Sequence, residues 1–157
     1  MKVLYYSFVY SRLNLHILAW GGSSVNVLRS LYVAINNVIR NVGYSLNTGR
    51  AAALYNNLRI LNFDQLYKLK LLQFMFNAVN GRSILLPDFL GDARWSHIYN
   101  TRQASLRLPA SRVNVNTQFP IGNAIKLWSV LPLPIKNSSS NRSFKKSVIK
   151  LITDNML

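Results

Sequence analysis

Residues Asn62–Val79 read NFDQLYKLKLLQFMFNAV, within the longest run of the chain that holds neither glycine nor proline. The run opens with a helix start signal. Asn62 is a capping residue, Asp64 falls in the first turn against the positive end of the helix dipole, and Gln65 stands three residues past the cap. On a helical wheel Phe63, Leu66, Tyr67, Leu69, Leu71, Leu72, Phe74, Met75 and Phe76 cover most of the circumference. Only two narrow polar stripes remain, Lys70/Gln73/Asn77 and Asp64/Gln65/Lys68. A helix that apolar is buried on more than one side, so residues 62–79 are expected to form a central core helix, closed by Asn80-Gly81.

Working back toward the N-terminus, Val25, Leu28, Tyr32, Ile35, Ile39 and Val42 recur at alternating spacings of three and four. That seam predicts an amphipathic helix, with Asn26, Arg29, Asn36, Asn37 and Arg40 on its other face and Gly43 as C-cap. Residues 44–57 read as a loop turning at Asn47 and Gly49, with a short helix beginning at Arg50-Ala51. Residues 2–20 are mostly apolar and meet no breaker before Gly21-Gly22. A signal peptide or membrane span fits them poorly. The uncharged part, Val3 to Ser11, is too short to cross a bilayer, and Arg12, Asn14 and His16 follow. The expectation is a buried helix, with Arg12 and His16 one turn apart and His16 partly buried and hydrogen-bonded.

Beyond Gly81 the texture changes. Prolines at 87, 109, 120, 132 and 134 and glycines at 91 and 122 argue against long helices. Leu106–Leu108 and Arg112–Asn116 alternate as short strands or extended arms do. Arg102, Arg107 and Arg112 recur every five residues, just after Trp95, His97 and Tyr99. In an extended arm such a ladder can track phosphates while the rings stack on bases; arginines that are simply solvated, or tie the arm to carbonyls of the bundle, are the other reading, of equal weight. Ala124–Leu131 reads as a short helix stopped by Pro132, and Asn137–Asn141 as a polar linker that also supplies a cap. The last helix places Phe144, Val148, Leu151 and Ile152 on one side and Lys145, Lys146 and Lys150 on the other.

Charge narrows the function more than the fold. Nineteen Lys and Arg stand against four Asp and no Glu in 157 residues, a net of +15. Residues 101–157 alone carry +8. Such a field favours polyanions, nucleic acid first and anionic membrane second. No cysteine is present, which excludes disulfides and thiolate metal sites. Asp64, Asp88, Asp92 and Asp154 do not form the close carboxylate pair that two-metal or acid–base hydrolysis requires. The chain is therefore expected to need no metal or other cofactor and not to be an enzyme by itself.

Four segments, in order, resemble the C-terminal end of the reverse transcriptases of jockey-like non-LTR retrotransposons. They are LYYSFVYSRLNLHILAWG (Leu4–Gly21), LRILNFDQLYKLKLLQFMF (Leu58–Phe76), HIYNTR with LRLPASR (His97–Arg112), and AIKLWSVLPLPIKNSSSNRSFKK (Ala124–Lys146). The resemblance implies a mainly α fold. A small thumb-like helical bundle would surround the central helix 62–79, followed by an irregular extended arm and short C-terminal helices. On that view 1–80 is the thumb-like region and 81–157 a C-terminal extension. The polymerase aspartates and the endonuclease of the parent RNA-directed DNA polymerase are missing, and with them the ligands for its Mg. The implied role is a grip on the backbone of RNA, DNA or an RNA–DNA hybrid inside the cell, in nucleus or cytoplasm.

The phosphate contacts expected are Arg29 and Arg40 on the second helix, Arg102, Arg107 and Arg112 on the arm, and Lys145, Lys146 and Lys150 at the end. Asn36 and Asn37 stand where the family commonly carries a basic pair, which weakens that grip. The alternative is a structural or protein-interaction module derived from a transposon fragment. It would dock through Leu4, Tyr5, Phe8 and Leu13 of the first helix. Membrane association ranks third.

Overall fold

Asn62 and Gln65 cap the central helix reciprocally. The Gln65 N–H donates to Asn62 Oδ1 at 2.8 Å, and the Asn62 N–H donates to Gln65 Oε1 at 3.0 Å. Two of the amide hydrogens that a helix start leaves orphaned are thereby satisfied.

The protein is seen in a computed structural model, which describes residues 2–42, 51–81 and 120–154. Of these, 82 % are helical and none lies in a strand, so the fold is mainly α. In chain order come α1 (Lys2–Leu4), a π-helical segment (Tyr5–Tyr10), α2 (Ser11–Asn14), α3 (Ile17–Trp20) and α4 (Val25–Val42). They are followed by α5 (Ala51–Leu58), the central α6 (Phe63–Val79), α7 (Pro120–Val130), α8 (Leu133–Lys136) and α9 (Asn141–Thr153). The expected strands at 106–108 and 112–116 and the C-cap at Gly43 lie outside the described residues. Contacts gather into two units, Met1–Tyr67 and Lys68–Leu157, and the division falls inside α6.

In the first unit Leu28, Ile35 and Ile39 of α4 are buried as their spacing predicts, beside Tyr5, Leu13, Ile17, Tyr55, Ile60, Phe63 and Leu66. Val25 departs from the seam. It begins the helix, is 73 % exposed, and the core starts one turn later. Trp20 stacks on Phe63 with ring centroids 5.4 Å apart, and Tyr32 meets the same ring edge-on. Gly21 lets the Tyr67 ring approach the backbone here, because a Cβ at this position would lie 2.6 Å from that ring and closer still to the Ile17 carbonyl. Helix α5 is the short helix expected from Arg50-Ala51, carried on to Leu58. It ends in a Schellman pair, Arg59 N–H to the Asn56 carbonyl at 3.0 Å and Ile60 N–H to the Tyr55 carbonyl at 2.9 Å.

The single buried helix expected over 2–20 is two pieces. Leu15 turns extended and His16 adopts the left-handed region at φ 54°, although no glycine or proline is present. The break delivers Ile17 into the core and frees the Leu15 carbonyl, which accepts from Trp20 Nε1 at 3.1 Å. His16 is exposed, not partly buried, and no longer sits one helical turn above Arg12. Burial upstream is confined to Tyr5 and Leu13, while Val3, Leu4 and Phe8 face outward.

In the second unit the later turns of α6 bury Leu69, Leu71, Leu72, Met75 and Phe76. Phe144 of α9 stacks on Phe76 at 4.3 Å and lies tilted against Trp128 of α7 at 6.0 Å. Helix α7 begins at Pro120, earlier than the expected Ala124. Proline needs no N–H in a first turn and its fixed φ suits one, so it starts this helix rather than forbidding it. Pro132 does end the helix, and Ser140 caps α9, its hydroxyl accepting from the Ser143 N–H at 3.2 Å. Gly81 closes α6 with φ 67°, a conformation that costs glycine little. Among the described residues no helix is long and apolar enough to cross a membrane.

Candidate nucleic-acid interface

Helix α4 carries Arg29 and Arg40 on one stripe, eleven residues and roughly 16 Å apart along the axis. They are not equivalent. Arg29 is exposed; Arg40 is half-buried, its Nη1 donates to Asn37 Oδ1 at 3.2 Å, and its Nε is shut from solvent with no hydrogen-bond partner. Asn36 and Asn37 have work that a cation could not do. The Tyr55 hydroxyl donates to Asn36 Oδ1 at 3.1 Å, and a lysine or arginine offers no acceptor there.

Helix α9 divides the three expected lysines. Lys146 and Lys150 are exposed one turn apart, whereas Lys145 is half-buried and faces α6. In its place the stripe gains Arg142, so Arg142, Lys146 and Lys150 stand at successive turns on one exposed face. None of the three forms an ion pair with a described carboxylate. The sequence reading missed Arg142, although its spacing of four from Lys146 was visible. Arg102, Arg107 and Arg112, with Trp95, His97 and Tyr99, lie outside the described residues.

Two other lysines of the second unit sit in partly buried surroundings. Lys136 lies over the Trp128 ring at 6.0 Å and reaches the Ser129 carbonyl at 3.4 Å, and burial lowers its pKa. Lys70 also has its pKa lowered, first by burial and then by the neighbouring charge of Lys145.

The first unit holds a cavity of about 220 Å³ lined by Tyr32, Ile35, Asn36, Tyr55, Phe63 and Asp64 among others. Two hydrogen bonds close its polar groups on each other, Tyr32 donating to Asp64 and Tyr55 to Asn36. Burial, and next the charge of Asp64, push the Tyr55 phenol up to about 12. Among the described residues no three His, Cys, Asp or Glu gather as metal ligands would.

What the fold and surface define is a class, a basic mainly α protein with cationic stripes on its longer helices. Comparison of the chain with family models, with curated proteins and with solved structures finds no match.

Proposed function

We propose that the chain is a non-catalytic C-terminal piece of a non-LTR retrotransposon reverse transcriptase that binds the sugar–phosphate backbone of RNA, DNA or their hybrid. The carrying observation is the exposed Arg142–Lys146–Lys150 stripe on a capped helix, none of whose three cations forms an ion pair with a described carboxylate. The +15 charge and the order of the four sequence blocks support the same reading. Backbone binding of this kind asks for point charges on rigid elements and little else. No base-reading groups and no catalytic carboxylates are needed.

The test is fluorescence anisotropy of a labelled RNA–DNA hybrid across a salt series. About five simultaneous phosphate contacts give a log–log slope of roughly −3.5 to −4.5. Exchanging Arg142, Lys146 and Lys150 together for Gln flattens it by about 2 to 3. A wild-type slope near zero overturns the reading.

One observation favours a second reading, a protein-interaction module. Val3 is 74 % and Phe8 71 % exposed on the same N-terminal stretch. Stable dimers in light scattering, lost in Phe8→Ser, would favour it.

A further inference from the structure

The polar stripe Lys70/Gln73/Asn77 of α6 is covered by α9. Gln73 Nε2 donates to Asn141 Oδ1 at 3.4 Å, and Asn141 Nδ2 donates to Asn77 Oδ1 at 3.3 Å. Beside this bridge Phe76 stacks on Phe144 at 4.3 Å. Asn141 opens α9 and meets Gln73 and Asn77 of α6, and further along the Lys145 charge reaches Lys70. One turn on from Asn141 is Lys145, and one turn back from Gln73 is Lys70. Two ammonium groups from facing helices thus share one layer, and both side chains are half-buried.

Nothing described neutralises them. Neither lysine has an ion pair or hydrogen bond with a described residue. Asp64 of the same helix accepts from Tyr32, and Asp154 stands nine residues past Lys145, about 13 Å along the axis. Burial and like charge work against the protonated form of Lys70, which is the direction its pKa takes. Lysines that serve only solubility sit apart in full solvent; here both side chains are partly buried and Lys70 lies within reach of the Lys145 charge. An anion between them removes both costs at once. The amide groups of Gln73 and Asn141 at the edge of the layer each keep a second N–H to donate.

We propose that Lys70 and Lys145 form a two-pronged site for a phosphate oxyanion, which receives one backbone phosphodiester of the bound nucleic acid. The inference rests on the backbone-binding reading and gives it a defined contact on the second unit.

The test uses the full chain, with Lys70→Gln/Lys145→Gln and, as a charge-keeping control, Lys145→Arg. In the hybrid titration the double variant flattens the salt slope by about 1 and weakens binding several-fold, while Lys145→Arg keeps the wild-type slope. In thermal melts without added anion the double variant equals or exceeds the wild type, because repulsion is gone. Inorganic phosphate then raises the wild-type Tm and leaves that of the double variant unchanged. A wild-type chain that binds the hybrid steeply, with a double variant of the same slope and the same response to phosphate, overturns the site and spares the backbone reading. A wild-type chain that ignores the hybrid while phosphate still raises only its own Tm overturns the nucleic-acid occupant and the reading beneath it.

Discussion

The two units solve the same packing problem with different materials. Among the described residues, the left-handed backbone positions of the first unit fall on His16 at φ 54° and Arg59 at φ 49°, and that of the second on Gly81 at 67°. The first unit also ties tyrosine hydroxyls to side chains of other helices, Tyr32 to Asp64 and Tyr55 to Asn36. The second stacks Phe76, Phe144 and Trp128, and Arg142, Lys146 and Lys150 of its last helix form no ion pair with a described carboxylate. Strain and buried hydroxyls therefore limit the first unit, and uncompensated charge limits the second. An uncompensated charge is also what an anionic partner can use, which is why the binding proposals concentrate there.

The largest expected effect tests the stacked core against the hydroxyl ties. Phe144→Ala removes a fully buried ring that touches two others and costs about 3–5 kcal/mol in urea unfolding. Tyr55→Phe removes only the hydroxyl bonded to Asn36 and costs about 1 kcal/mol. Similar losses would mean that the two units do not differ in what holds them.

A smaller effect has the opposite sign. Arg59 occupies the Schellman position that glycine fills most cheaply, so Arg59→Gly raises stability by about 1 kcal/mol. The same melts read it, and a loss would show that the arginine side chain outweighs its backbone strain.

The smallest effect is a divergence with pH. Burial holds the Tyr55 phenol at about 12 in the fold against an ordinary value near 10. The unfolded chain releases that proton first, so the stability from this group is intact below pH 10 and is lost as pH climbs through 12. Tyr5 and Tyr32 move in the same direction. Lys70 is reversed: its folded pKa is lowered, by burial and then by Lys145, so its penalty is full at neutral pH and is relieved as pH rises toward the ordinary lysine value. Single-tryptophan variants that keep Trp20 or Trp128 should show the first unit weakening above pH 10 before the second. A shared transition at every pH would erase the distinction.

How much of this was legible depends on where the deciding energy lies. The capping box of Asn62 and Gln65 and the seam of α4 are local patterns, and local hydrogen bonding and periodicity were enough to read them. The break at Leu15 and His16 has no local cause, since it is the burial of Ile17 that repays a left-handed histidine. Pro120 carries one meaning in a helix interior and another at its first residue, and only the neighbours that bury Gly122 and Ala124 decide between them. In the candidate interface, one helix shows the spacing of Arg142, Lys146 and Lys150. That Lys145 belongs to a different surface depends on α6 lying against it, which no single-helix pattern contains.

The π-helical turns at Tyr5–Tyr10 have a consequence for how this chain tolerates length changes. A π-helical turn holds more residues than an α-helical one, so the segment stores surplus chain inside a continuous helix. Removing one residue there would let the α-helical bonding pattern close up, leaving Leu13 and Ile17 in place while everything upstream swings by about 100°. The outward-facing Val3 and Leu4 would then point elsewhere. A single-codon deletion thus re-aims the N-terminal surface of this protein and, in the same movement, withdraws Tyr5 from the core while Leu13 and Ile17 stay.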